Sequence, residues 1–392
     1  MQAQSLDSKI NPAPSQTVGA IYVHIPFCAS KCGYCDFYSL ADTRDLSRAC
    51  VKAICLELKR NAKKLIAPLN SIFVGGGTPT SLAPPLLKEL LDALGEYRDE
   101  QTEFSVEANP CSVTDQIAKI MHHAGVNRVN LGAQSFVQEE LTALGRIHDP
   151  ETIATAWRTL RNAGHQRLGL DLIYASPGQN LDSWRYSLDK ALALKPEHLS
   201  CYALTIESDT PIGRLRDSGE FIEMDEADQA NCYNATVQTA AAAGLEQYEI
   251  SNFAAPGMQC LHNLTYWRNE SYLGLGPAAA SYIDRVRRTN KPDIKAYIRA
   301  IENSEPPPAE SEKLTGRAEM GETMMLALRM NQGVNRQQFA QRFGIDPADA
   351  FAATIQRYCS MGAMFMDRQW LRIAPRAMLV SNTILADILS EV

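Results

Sequence analysis

Six short apolar runs, separated by longer stretches of helical periodicity, constrain this chain more than any other feature. They read "AIYVHIP" (20–26), "SIFVGGG" (71–77), "EFSVEAN" (103–109), "RVNLGAQS" (128–135), "RLGLDLIYA" (167–175) and "HLSCYALT" (198–205). Between them, in segments such as "PPLLKELLDALGEY" and "SWRYSLDKALAL", apolar residues recur at three and four positions. Strands alternating with helices imply successive βαβ units and a parallel sheet, with "EQYEIS" (246–251) as a possible extra strand. An open doubly wound sheet and a barrel both fit the alternation. Cys28, the glycines at 75–77, Glu107, Gln134 and Tyr174 fall at or just past the C-terminal ends of separate strands. A (βα) barrel gathers its site there, whereas a doubly wound sheet concentrates it at one switch point. The expected fold is therefore α/β, a partial (βα)6 TIM-like barrel over residues 20–245, open along one side.

The flanking segments differ in texture. Residues 1–19 read as a disordered lead-in without the apolar stretch of a signal peptide. Residues 246–301 extend the barrel, and the Pro/Glu/Ser-rich stretch 302–314 reads as a linker. Three helical patterns and a short strand, "QWLRIAP", then suggest a smaller, mostly helical, winged-helix-like domain over 315–392. Its Lys and Arg do not cluster on one face, and the formal net charge of the 392 residues is −7, so nucleic acid is not an expected partner. Met320, Met324, Met325 and Met330 are expected in its core. No apolar run reaches membrane-spanning length, and the expected compartment is the cytoplasm.

Chemistry concentrates in "YVHIPFCASKCGYCDFYS" (22–39), where Cys28, Cys32 and Cys35 lie on one loop after the first strand. Thiolates bind soft metals. A 4Fe-4S cubane held by three of them keeps one iron open to another ligand. Zinc would want a fourth Cys or His nearby, for which His24 is the closest candidate, and three inert core thiols are the bland alternative. The other cysteines, Cys50, Cys55, Cys111, Cys201, Cys232, Cys260 and Cys359, lack matching spacing and are expected as buried thiols. In "GGGTPT" (75–80), glycines would let the backbone approach a ligand through amides or carbonyls.

The Cys-x3-Cys-x2-Cys loop with Tyr34 before its third cysteine resembles the signature of radical S-adenosylmethionine (SAM) proteins. The resemblance implies that SAM chelates the open iron and is cleaved on reduction, with the protein supplying ligands and orientation. "IYVHIPFC", "GGGTPTSL", "VEANP", "NRVNLGAQSF", "LGRIHD", "DLIYASPGQ", "YEISNFA", "HNLTYW" and "YLGLGP" extend it, in order, to the oxygen-independent coproporphyrinogen III oxidase family. By position, Tyr22, Tyr34, Gly76, Gly77, Thr78, Glu107, Gln134 and Arg146 match that family's SAM contacts. Glu107 suits a ribose diol, and Arg146 could meet a carboxylate. Structural roles, as a paired strand-end acid and a helix-capping base, remain open for both.

Two departures matter. The oxidase carries a fourth cysteine where this chain has Phe37, and a lysine, helping to hold a second SAM, where it has Gly178. Nothing physical accounts for Ala175 and Ser176 in place of the usual Gly-Leu. With "HNLTYW" (262–267), these differences resemble the haem-chaperone branch of the family. That resemblance implies haem as a ligand, haem-acceptor proteins of a respiratory chain reached at the inner face of the membrane, and a low-potential electron donor. His262, Asn263, Tyr266 and Trp267 become candidate haem contacts, against a structural reading as a hydrogen-bonded interface. Arg285, Arg287 and Arg288 could pair with propionates or simply form a solvated face. The alternative activity is oxidative decarboxylation of coproporphyrinogen III propionates, and radical-SAM chemistry on another substrate is a third.

Overall fold

The computed structural model of the chain describes residues 17–41 and 44–392. Nine strands form its central sheet. They are β1 (Ala20–Ile25), β2 (Ser71–Gly76), β3 (Glu103–Ala108), β4 (Arg128–Gln134), β5 (Arg167–Tyr174), β6 (His198–Ala203), β7 (Glu246–Glu249), β8 (Asn252–Ala254) and β9 (Leu273–Leu275). Their order is β9-β1-β2-β3-β4-β5-β6-β8-β7, so the six expected units pair consecutively and the sheet stays open. β1 to β6 are parallel throughout. β9 adds in parallel beside β1, while β8 and β7 close the far edge antiparallel.

The strands are not uniformly apolar, as the sequence reading had treated them. Each alternates, and the apolar set faces the helices: Ile21, Val23, Ile72, Val74, Phe104, Val106, Val129, Leu131, Leu168, Leu170 and Leu199 are fully buried in one cluster with the helical Ile54, Leu91, Leu160 and Leu188. The other set, including Tyr22, Phe73, Ser105, Glu107, Asn130, Asp171 and Ser200, shares the inner face by register. Gly75, Gly132 and Gly169 on that face keep it uncrowded. Side chains set the entry of the outer helices: Thr114, Asp149 and Asp225 accept from the first-turn amides of Ile117, Thr152 and Asp228. Asn180 and Ser183 form a capping box.

A polar interior needs a closed floor. Glu103 and Arg128, at the N-terminal ends of β3 and β4, form an ion pair at 2.9 Å with both side chains 1% exposed. Arg128 also donates to the carbonyls of Met258 and Gln259, at 2.7 and 3.0 Å. The Glu103 carboxylate accepts from the Leu261 amide at 2.8 Å. These bonds fasten the helix Leu261–Trp267, which carries "HNLTYW", across the base of the barrel.

Two sequence expectations are corrected here. The lead-in lies outside the described residues up to 16, but Val18 already bridges Leu65, so order begins before residue 20. The expected linker is not structureless: Ala309–Lys313 pairs antiparallel with Val286–Asn290 in a three-stranded sheet. Its alternating charged side chains guard an exposed edge, which is why the stretch reads as linker by composition. The C-terminal unit has its own core, including Met320, Met324, Met330, Phe339, Phe351 and Ile384. It combines helices with the small sheet of Val334–Asn335, Trp370–Ile373 and Met364–Met366.

Removing one partner of a buried ion pair leaves an uncompensated charge. Arg128→Met is expected to destabilise the protein by about 3–5 kcal/mol in urea unfolding, whereas a mutation at the exposed Lys88–Asp92 pair should cost less than about 1 kcal/mol.

Candidate functional site at the barrel mouth

The cysteine loop leaves the C-terminal end of β1 and returns through Phe27–Cys28, which pairs with Leu40–Ala41. The loop is tied to its surroundings at Gly33, whose amide donates to the Leu144 carbonyl at 3.1 Å and whose carbonyl accepts from Ile212 at 3.0 Å. All three thiols are free and partly exposed. An Arg146 N–H donates to the Cys32 sulfur at 3.1 Å, and its other arm donates to the Gly132 carbonyl at 3.0 Å. The Thr78 hydroxyl lies 3.6 Å from the Cys28 sulfur. Burial raises the Tyr34 phenol above its usual range, against the pull of the neighbouring Arg146.

The glycine run is packed for close approach. A Cβ at Gly75 would meet a Glu107 oxygen at 2.5 Å, and one at Gly77 would meet the Phe27 carbonyl at 2.6 Å. Gly76 has φ +103°, a conformation that favours glycine. The amides of the run are all committed: Gly76 to Glu107 at 3.1 Å, Gly77 to the Ile25 carbonyl at 2.8 Å and Thr78 to the Phe27 carbonyl at 2.7 Å. An amide nest for a carboxylate is therefore ruled out in this arrangement, leaving the carbonyls as the means of contact with a ligand amine.

Glu107 and Asp171 face the interior, both partly accessible. Desolvation, reinforced by the Asp171 charge, pushes Glu107 up to about 8. Burial also raises Asp171, to about 6, against a hydrogen bond from Ser200. Tyr22 donates to His24 Nδ1 at 3.0 Å, because His24 Nε2 must give its proton to the Tyr38 carbonyl at 2.9 Å. Gln134 sits at φ +68° beside a bulge between Gly132 and Gln134, which turns the end of β4. Deeper in the face, Ser105 Oγ, Asn130 Oδ1 and Asn252 Oδ1 are buried without protein partners among the described residues. Such atoms call for water or a polar ligand.

The structure brings the cysteines and all eight candidate SAM residues to the strand ends on one side. It places "HNLTYW" at the other. His262 is 1% exposed, with Nδ1 bonded to Ser71 Oγ at 3.0 Å and Nε2 to Tyr266 at 2.8 Å. Its ring stacks on Phe73 and Tyr22, and burial pushes its pKa down to about 3. Neither ring nitrogen is free for iron. Asn263 bonds the Tyr248 side chain, and Trp267 packs on the C-terminal core. Nor do the arginines of "DRVRRTNK" await propionates. Arg285 pairs with the buried Glu319 and Arg287 with Glu322, while Arg288 is held by Asn290 and the Pro307 carbonyl.

The expectation that the remaining cysteines are buried also needs correction. Cys50, Cys201, Cys232 and Cys260 are, but Cys55 and Cys359 are partly exposed and Cys111 is exposed. Cys111 lines a cavity of about 70 Å3 with Cys32, Thr78, Asn109 and Arg146. Its signal was its position, four residues after Glu107 at a strand end, not its spacing from other cysteines.

A zinc ion asks for ligands about 2.0–2.3 Å from one point. No three His, Cys, Asp or Glu among the described residues are so arranged. A larger sulfur-ligated centre fits better. Three accessible thiols share one loop, two of them face hydrogen-bond donors, and orphaned polar atoms lie on the inner face behind them.

Comparison with known proteins agrees with this architecture. Residues 22–191 match the Radical SAM superfamily, and residues 314–380 match the HemN C-terminal domain. Coproporphyrinogen III oxidase (HemN) from Escherichia coli, a radical SAM enzyme, superimposes with a TM-score of 0.81 over 96% of this chain and 91% of its own; at 20% identity this establishes the fold. The fold and site thus define a radical SAM protein, a class that implies a 4Fe-4S cluster and SAM. Heme chaperone HemW of Bacillus subtilis is 34% identical over 94% of this chain and 99% of its own length. The protein of that name from Mycobacterium tuberculosis is 36% identical over 82% of this chain and 84% of its own. The chain belongs to the HemW family.

Two outcomes follow from the geometry. A carboxyl whose folded pKa lies above its unfolded one stabilises the fold relatively at low pH and loses that contribution as pH rises. The ligand-free protein should therefore lose stability between about pH 4.5 and about pH 8 from Glu107, and Glu107→Gln should flatten that slope in unfolding titrations. His262→Ala removes two buried hydrogen bonds and a stacked ring, and is expected to cost about 2–4 kcal/mol in urea unfolding.

Proposed function

We propose that this chain is a haem chaperone, binding haem and delivering it to acceptor proteins from a radical SAM scaffold. The observation that carries the reading is near-full-length similarity to curated proteins named heme chaperone HemW. Phe37 supports it: where the oxidase resemblance calls for a thiol, this residue is 60% exposed beside the cysteine loop. At Gly178, φ is +77° and a Cβ would meet nothing within 4 Å, so no side chain is present there for a second SAM.

In this reading Cys28, Cys32 and Cys35 hold the 4Fe-4S cluster, which when bound supplies electrons singly to the sulfonium of SAM. Arg146 keeps a positive charge against Cys32 and favours its thiolate. Glu107 accepts hydroxyl bonds from the ribose, and the carbonyls of Gly76 and Gly77 receive the ammonium. Tyr22, Tyr34, Thr78 and Gln134 complete the wall. Electrons come from a low-potential donor. The acceptors are proteins of a respiratory chain, met in the cytoplasm or at the inner face of the membrane. No helix among the described residues is long and apolar enough to cross one.

Titrating the anaerobically reconstituted protein with haem should give a saturable Soret change at micromolar concentration. Its absence would sink the proposal. Cluster absorbance should vanish in Cys28→Ala, Cys32→Ala or Cys35→Ala. In an anaerobic assay with SAM and reductant, coproporphyrinogen III should remain unconverted, and conversion to protoporphyrinogen would restore the oxidase reading.

A further inference from the structure

We propose that haem docks on an apolar rim at the barrel mouth, beside the cysteine loop, rather than at "HNLTYW". The inference rests on the haem-chaperone reading and says where on the chain that ligand sits.

Four large apolar side chains are exposed on this side of the molecule: Phe37 at 60%, Ile147 at 59%, Leu215 at 41% and Ile222 at 87%. Single exposed apolar residues are ordinary, but a convergent group marks an interaction site. These converge because their segments are hydrogen-bonded together. Gly33, on the loop that carries Phe37, bonds Leu144, three residues before Ile147, and Ile212, three residues before Leu215. Phe221, next to Ile222, donates to the Leu215 carbonyl at 3.1 Å. Ile147 itself lines the cavity shared by Cys32 and Arg146.

The charges nearby select the occupant. Haem is a flat apolar macrocycle with two carboxylates, so it needs apolar cover and flanking cations. Lys31 and Arg214 are exposed on the same segments. Arg214 donates only to the Asp209 carbonyl, and neither cation has an acidic side-chain partner among the described residues. The acids close by are largely answered, since Arg216 pairs with Asp217 at 2.9 Å and Glu223 at 3.8 Å; Asp36 is the opposing charge that remains. Two unpaired cations beside an apolar patch, on a chain of net charge −7, complement an amphipathic dianion.

The rim offers no histidine. Of the seven in the chain, His24, His148, His165, His198 and His262 are buried, and the exposed His122 and His123 close a helix that leads to the floor end of β4. Haem lying on the rim without an imidazole bond is held by apolar and ionic contact, which suits a ligand that must be passed on.

Haem titration of the full-length reconstituted protein tests this, with circular dichroism checking each variant's fold. Phe37→Ser/Ile222→Ser is expected to raise the dissociation constant about tenfold or more, and Lys31→Glu/Arg214→Glu by about tenfold. Val380→Ser, at a residue 59% exposed on the C-terminal unit, should bind as wild type. If wild type binds haem but the rim variants match it, or Val380→Ser falls with them, the rim assignment is overturned while the chaperone reading stands. If wild type itself binds none, the chaperone reading falls and takes the rim with it.

Discussion

The polar inner face of the sheet is the constraint on which the rest of this structure depends. Strands that point Ser105, Glu107, Asn130 and Asp171 inward cannot be held by an oily interior. Cohesion has to come from outside, where the alternate residues bury against the helices, and from a floor that satisfies the polar groups at the strand starts. The Glu103–Arg128 pair and the amides of Leu261 and His262 supply that floor. What remains is a hollow with uncompensated acceptors at mid-depth and carboxyls pushed towards neutrality at its mouth.

This organisation separates two motifs that invite a common explanation. The cysteine loop and the glycine run meet at the mouth, while "HNLTYW" seals the base. His262 stacks under Tyr22 and Phe73, and Trp267, five residues on, enters the C-terminal core. One short helix thus joins barrel floor and C-terminal unit. The joint is reinforced by Arg285, Arg287 and Arg342 around Glu319 and Glu322. Buried groups with so many partners act as structure, and a ligand role for His262 would require that joint to open.

Much of the site was legible beforehand because strand ends project their side chains together. Cys28, Glu107 and Gln134 could be grouped simply by standing at the ends of successive strands. The glycine run could be seen as a close approach, but not which half of its peptide groups was free. That depended on the return path of the cysteine loop, whose Ile25 and Phe27 carbonyls take the Gly77 and Thr78 amides. Cys111 was missed because spacing between cysteines was the criterion, and its relation to Cys32 runs across strands. Polar alternation was present in every run, as in "EFSVEA", and was overlooked because the apolar half dominates its texture.

Sequence alone determined the βα alternation, the three-thiol loop and the absence of a fourth thiol at Phe37, because each depends on local order along the chain. Only the tertiary structure decided which end of the barrel each motif occupies, which cations are already paired and which thiol is exposed. Those outcomes depend on partners far away in sequence: Ser71 with His262, Arg285 with Glu319, Cys111 with Arg146. Burial and hydrogen-bond satisfaction are properties of the assembled fold, and no window of residues contains them.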